Sequence, residues 1–316
     1  MMVNSTLDQI RTENNCNLKY LFDDSNDYHD SPLQYNNDCS YLEPDQFPNH
    51  AENLNRQSYF HFNCRGLSSN WESFRDLLCD HFSFDVVGIN EVFGCDNDKR
   101  IYLPGYQNIF TRSRDDGNRG AVALFIKDNI QFKIGEDIRV FIPQIFESSF
   151  IEIDTSKGDK AIVGVIYKPN TALRADLFTS TIHDIINIIN TEGKYGIILD
   201  DMNIDLLKYD NYTKTNDCLE SMFSIGFSPV ITLPTRLASS SATLIDHIYP
   251  NRTLSTNSGI VNTDVADNFG AFHITKRKEK KLLNLLLLNK RDCFYKITAK
   301  GLEPIYKNLI LILAYT

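Results

Sequence analysis

The sequence predicts an α/β protein built on a mixed β-sheet, and three observations predict it. Between about residues 58 and 275, short runs rich in Ile, Val and Phe outnumber the stretches with helical spacing. The helical stretches are interspersed among those runs rather than gathered at one end. The length of this region also suits one large domain.

Each element follows from local pattern. Tyr59-Phe60-His61-Phe62-Asn63 alternates as a strand does, and Trp71, Phe74, Leu77, Leu78 and His81 then recur at helical spacing behind Ser68 or Ser69 as N-cap. Phe84–Ile89 is a second strand, closed by Asn90-Glu91. A polar loop, Arg112–Gly120, leads into the strands Ala121–Ile126 and Ile130–Ile134, and Phe146–Ile153 and Ala161–Tyr167 follow. Leu177, Thr181, Ile185 and Ile189 lie four apart, which marks a helix over Leu173–Ile189. The run Tyr195–Leu199 is a continuous apolar strand, followed by a helix near Asn216–Ile225 and the short segment Ser228–Thr232. Pro234-Thr235-Arg236 precedes a Ser-rich turn and the strand Thr243–Tyr249.

The flanks differ in character. Residues 1–57 are rich in Asn and Asp, carry a net charge of −7 and lack periodicity, so they are expected to be disordered. Residues 276–316 carry +7 and form a basic, Leu-rich tail with no complete domain. The central region carries −9, which argues against nonspecific nucleic-acid binding by bulk charge and suits a carboxylate-rich metal site. Seven scattered cysteines without a C-x-x-C pair speak against structural zinc. No signal peptide or bilayer-length apolar run is visible, so an intracellular, nuclear or cytoplasmic protein with reduced thiols is expected.

The stretch Asp201-Met202-Asn203 closes the Tyr195–Leu199 strand. It reads either as an Asx-type turn or as a site in which a carboxylate and a carboxamide together hold a water and a phosphoryl oxygen. Polar or acidic side chains recur at strand ends elsewhere, at Asn63, Glu91, Tyr167, Asp246 and Asp267. One or two carboxylates with waters suit Mg2+. A further carboxylate can act as base on water, and Asn or Tyr can donate to transition-state oxygens. That set serves metal-assisted phosphodiester hydrolysis.

Six blocks then carry a resemblance: Phe62-Asn63-Cys64-Arg65-Gly66-Leu67, Asp85–Glu91, Arg119–Ile126, Gly164–Asn170, Leu199–Leu206, and Pro234-Thr235-Arg236 followed by Thr243-Leu244-Ile245-Asp246-His247-Ile248-Tyr249. In this order the chain resembles the endonuclease/exonuclease/phosphatase superfamily, and within it the apurinic-type endonuclease domain of LINE-type (non-LTR) retrotransposons. The resemblance covers about residues 58–275. It implies a four-layer α/β sandwich, two mixed sheets packed face to face with helices outside, and nicking of DNA with Mg2+ or Mn2+. By position, Glu91 would be the principal metal ligand and Asn63 would assist at metal and phosphate. Tyr167 would steady the scissile phosphate, and Asp201 with Asn203 would orient or deprotonate the water. Asp246 would support the catalytic imidazole that Asp267 precedes. Apart from that positional match, Arg119, Lys168 and Arg236 are candidates to touch substrate phosphates. No membrane and no obligate protein partner are implied.

Two positions depart from the pattern. The family places His after Ser-Asp, where this chain has Ala266-Asp267-Asn268, so the imidazole is missing and a catalytically impaired endonuclease is expected. His247 and His273 are not expected to replace it. Asp200 stands where the family usually has Gly, beside Asp201. Alternative readings are a small-molecule phosphoesterase of the inositol-phosphate or sphingolipid type, and a non-catalytic DNA-binding remnant using Arg112, Arg114, Arg119, Lys168 and Arg236. The arginines of 112–119 read more readily as a solvated charged loop.

Overall fold

The structure, a computed structural model, describes residues 39–47, 57–92, 101–110, 121–155, 159–170, 174–211, 213–238, 241–252, 256–265 and 269–275. In chain order the strands are β1 (Ser40–Leu42), β2 (Gln57–Asn63), β3 (Val86–Asn90), β4 (Tyr106–Phe110), β5 (Val122–Lys127), β6 (Phe132–Ile134), β7 (Phe141–Ile142), β8 (Phe146–Asp154), β9 (Lys160–Tyr167), β10 (Tyr195–Asp201), β11 (Arg236–Ala238), β12 (Ser241–Thr243), β13 (Asp246–Pro250), β14 (Thr256–Val261) and β15 (Gly270–Thr275). The helices are α1 (Leu67–Asp80), α2 (Ala175–Thr191) and α3 (Thr213–Ser224).

Two mixed sheets result. One has the order β1-β14-β15-β2-β3-β5-β4 and the other β13-β10-β9-β8-β6, with β7 paired to β8. Alternation along each strand sends one set of side chains between the sheets and the other outward. Tyr59, Val86, Leu124, Val163, Val165, Ile197 and Leu199 fill the inter-sheet core. Phe60, Phe62, Val87, Ile89 and Phe125 face outward and are covered by Trp71, Phe74, Leu77 and Leu78 of α1. On the far side Phe178, Ile182, Ile185, Ile186 and Ile189 of α2 are buried, and Gly196 leaves room for Ile189 to press on β10. The architecture is therefore the four-layer α/β sandwich. The layers approach closely at Gly88, where an added Cβ would stand 2.7 Å from Leu199 Cδ1 and force that side chain to shift.

Several boundaries move. The sheet takes in Ser40–Leu42, which the sequence reading placed in an unstructured segment; β1 pairs in parallel with β14, a partner more than two hundred residues away. α1 begins at Leu67 behind Gly66 (φ 105), and the Ser69 hydroxyl donates to Gly66 O from inside the helix rather than capping it. Ser228–Thr232 forms no strand, although the Ser228 and Val230 amides donate to Pro250 and Ile248 along β13. β4, β14 and β15 carry no clear alternation and were not predicted. The remainder of the N-terminal segment, the Arg112–Gly120 loop and the 276–316 tail lie outside the described residues. No helix among the described residues is long and apolar enough to cross a membrane. Cys39, Cys64, Cys79 and Cys218 form no disulfide among the described residues.

Candidate active site

The site grows from a row of residues at one rim of the sandwich. In the second sheet Glu147 pairs with Tyr167, Tyr167 with Asp201, and Asp201 with Asp246, so one transverse row crosses β8, β9, β10 and β13. Because paired residues share a face, all four point between the sheets. Across from them Asn63 of β2 pairs with Asn90 of β3, and Glu91 follows as the chain leaves β3. The two rows meet: Asn63 Nδ2 donates to Asp201 Oδ2 at 2.6 Å, and Tyr167 Oη donates to Glu91 Oε1 at 3.1 Å.

Local backbone geometry fixes these side chains. Glu91 has φ 58, a left-handed conformation uncommon for a non-glycine residue, and it swings the chain out of β3 so that its carboxylate turns toward Tyr167. The Gly66 amide donates to Glu91 O and the Val92 amide to Ala121 O, pinning that turn from both sides. Asn203 has φ 50, and its amide donates to Asp201 Oδ1 at 3.0 Å, which closes an Asx turn. The two readings of this stretch therefore do not compete: the turn is what holds the carboxylate. The Asn203 side chain, by contrast, does not stand beside Asp201 as an extended strand would place it. Its Nδ2 donates to Lys168 O at 2.8 Å because the left-handed turn redirects it.

The electrostatics are unbalanced. Asp201 is buried, and burial together with the facing Glu91 charge pushes its carboxyl up to about 7, against the opposing hydrogen bonds from Asn203 and Asn63. Burial first, then the Asp201 charge, lifts Asp246 well above the usual carboxylate range. Burial and Glu91 likewise raise the Tyr167 hydroxyl, so it stays protonated as a donor. Among the described residues no group of three His, Cys, Asp or Glu side chains could hold a metal ion unaided. The donor set still fits Mg2+, which is typically held by one or two carboxylates with waters completing the shell. Glu91 is half-buried against the fully buried Asp201, and a cation beside it would offset the repulsion that lifts Asp201.

The predicted residues divide clearly. Asn63, Glu91, Tyr167, Asp201 and Asp246 are brought together. Lys168 joins through its backbone, its amide donating to Asp201 O, while its Nζ lies 5.8 Å over the Phe178 ring. Arg236 opens β11, and its charge counteracts the rise at Asp246. Arg119, Asp267 and Asn268 lie outside the described residues. Asp200 is not part of the site: alternation turns it to the helix-facing side, level with His247 and within electrostatic reach of Cys218. His247 shares that face and reaches Ile204 O at 3.2 Å, and His273 is a buried core residue.

Three contributors escaped the sequence reading. Thr235 Oγ1 donates to Asp246 Oδ2 at 2.8 Å, and Thr235 O accepts the amide of Phe269, the first described residue after 268. His61 Nδ1 lies 3.9 Å from Asp246 Oδ1, beyond hydrogen-bond range. Glu147 is fully buried and accepts the Ala121 amide at 2.5 Å. A charged residue inside the otherwise strand-like Phe146–Phe150 was the available signal for it.

No family model matches the chain, and no curated protein matches it. Solved structures do. An AP endonuclease from Leishmania major superposes with a TM-score of 0.58 at 10% identity, covering 73% of this chain and 91% of that one. The endonuclease domain of TRAS1, a telomere-specific non-LTR retrotransposon, gives 0.54 at 10% identity over 71% of this chain and 100% of that one. A mannosyl-6-phosphatase from Bacteroides thetaiotaomicron gives 0.54 at 14% identity over 70% and 100%. At such identities the likeness is one of fold: this chain shares the fold of these solved structures.

Proposed function

We propose that residues 58–275 form a divalent-metal-dependent DNA endonuclease domain of non-LTR retrotransposon type whose catalysis is impaired. The observation that carries this reading is the convergence of Asn63, Glu91, Tyr167 and Asp201 from both sheets into two adjoining hydrogen-bonded pairs at the rim. Glu91, with Asn63 beside it, would hold Mg2+ or Mn2+, which when bound supplies charge neutralisation at a phosphoryl oxygen. Asp201, fixed by the Asn63 and Asn203 donors, orients the attacking water and takes its proton. Tyr167, kept protonated, donates to the scissile phosphate. Asn203 braces Asp201, and Asp246, held by Thr235, would support the catalytic imidazole that the family carries after Asp267 and this chain lacks. Arg119, Lys168 and Arg236 contact backbone phosphates of DNA.

The impairment rests on the sequence at 268, where Asn can neither carry the positive charge of an imidazolium nor relay a proton. Nicking of supercoiled plasmid by Asn268→His should exceed that of the wild type by about 10²–10⁴-fold. No gain on Asn268→His, alongside robust wild-type nicking that Glu91→Ala abolishes, sinks the impairment. The fold shared with a sugar-phosphate phosphatase keeps a small-phosphoester reading in play. Turnover of sugar or inositol phosphates in place of DNA selects it.

A further inference from the structure

We propose that Glu147 is a positioning residue for Glu91, acting across the sandwich through the Ala121 backbone; the inference rests on the reading of Glu91 as the metal-side carboxylate. Glu147 is fully buried on β8, in the row that continues through Tyr167 and Asp201. Its carboxylate leaves the second sheet and accepts the amide of Ala121, the residue before β5 of the first sheet, at 2.5 Å. Ala121 sits at φ 65, a conformation that a non-glycine residue keeps only when its surroundings impose it. The Ala121 carbonyl then accepts the Val92 amide at 3.3 Å, one residue beyond Glu91, which is itself at φ 58. Two left-handed residues thus lie back to back, and Glu147 grips the outer one.

A buried carboxylate is expensive to retain, and a purely apolar rim would pack this position at lower cost. At Ala121 the carboxylate supplies a hydrogen-bond acceptor that an apolar side chain could not. The chain Glu147–Ala121–Val92 fixes the direction in which the Glu91 carboxylate leaves the backbone. Tyr167, the cross-strand neighbour of Glu147, fixes the same carboxylate at its tip. Glu91 is therefore held at both ends by adjacent residues of the second sheet. Groups that orient a metal ligand in this way are worth about 10–100-fold in metal affinity.

The test measures Mn2+ binding by titration calorimetry on the whole chain, with backbone amide exchange followed in the metal-free protein. Glu147→Met, similar in shape but lacking an acceptor, should bind Mn2+ about 10–100-fold more weakly than the wild type. Exchange should rise at Ala121 and Val92 and stay unchanged at Tyr59 and His273. Glu147→Gln keeps an acceptor for the Ala121 amide and should retain wild-type affinity. Should Glu147→Met not fold, Glu147→Asp, one methylene shorter, carries the same expectation. A merely structural Glu147 would raise exchange throughout the sheets and leave the Mn2+ affinity of the folded protein unchanged. Glu91→Ala serves as the control. Binding that depends on Glu91 but is indifferent to Glu147 overturns the clamp alone, whereas binding indifferent to Glu91, or none by the wild type, overturns the metal reading and the clamp with it.

Discussion

The inner face of the sandwich is polar at both ends, and the two ends are built on opposite principles. At one end His273 lies between Ser258, whose hydroxyl is 2.9 Å from Nδ1, and Tyr195, whose hydroxyl is 3.3 Å from Nε2. Tyr59 stacks on that imidazole and donates to Gln57, whose amide reaches Asp154 O. Every group there is neutral and satisfied, and burial holds His273 uncharged, its imidazole lowered to about 3. At the other end Glu91, Asp201 and Asp246 face one another, and Asp246 Oδ1 has no hydrogen-bond partner among the described residues. One end closes the fold, while the other stores repulsion that only a cation or a proton relieves. Departure from local consistency at one rim of an otherwise self-consistent fold is where a functional site is expected.

Three substitutions would break or sharpen that contrast. Asp201→Asn should have the largest effect, abolishing nicking while stabilising the metal-free fold. Its carboxyl rises from 3.8 to about 7 on folding, a change corresponding to about 4 kcal/mol as an upper figure. A carboxyl raised in the folded state costs stability as pH climbs above its unfolded value. The gain in urea midpoint should therefore be full at pH 8, vanish near pH 4, and shrink when Mn2+ is added. A destabilised Asp201→Asn at pH 8 would show the rim to be as self-satisfied as the far end.

His273→Phe should act in the opposite sense. It strands the Ser258 and Tyr195 hydroxyls and should cost about 2–4 kcal/mol, counting one unpaired buried group at each. A histidine lowered on folding contributes stability that is lost as pH falls below its unfolded value. The cost of His273→Phe, read from urea melts, should thus be greatest at pH 8 and smaller at pH 5. A cost that grows on acidification would mean that His273 is charged in the fold. Gln57→Ala should be the mildest, about 0.5–1.5 kcal/mol for exposed-edge hydrogen bonds, without altering nicking. Loss of nicking there would couple the two ends.

Much of the site was legible because its residues fall where strands end. Asn63, Glu91, Tyr167, Asp201 and Asp246 each close or open an apolar run, and such positions present side chains from rigid backbone. Glu147, Thr235 and His61 were not legible: each lies within a run or motif and gains meaning only from a partner in another strand. Asp200 adjoins Asp201 in sequence, yet alternation along β10 sends it to the other face.

The sequence by itself determined the class of fold, the strands β2, β3, β5, β6, β8, β9, β10 and β13 with the three helices, and the order of the polar strand ends, because these depend on period and composition over a few residues. The tertiary structure alone decided register and pairing. Asn63 meets Asp201 across 138 residues, and β1 closes on β14 across a still longer span. Such contacts are set by how whole faces bury against one another, and a shift of one residue would send every side chain of a strand to the opposite face. Local pattern could name the carboxylates, but only the register of β8, β9, β10 and β13 could place Glu147, Tyr167, Asp201 and Asp246 in one row.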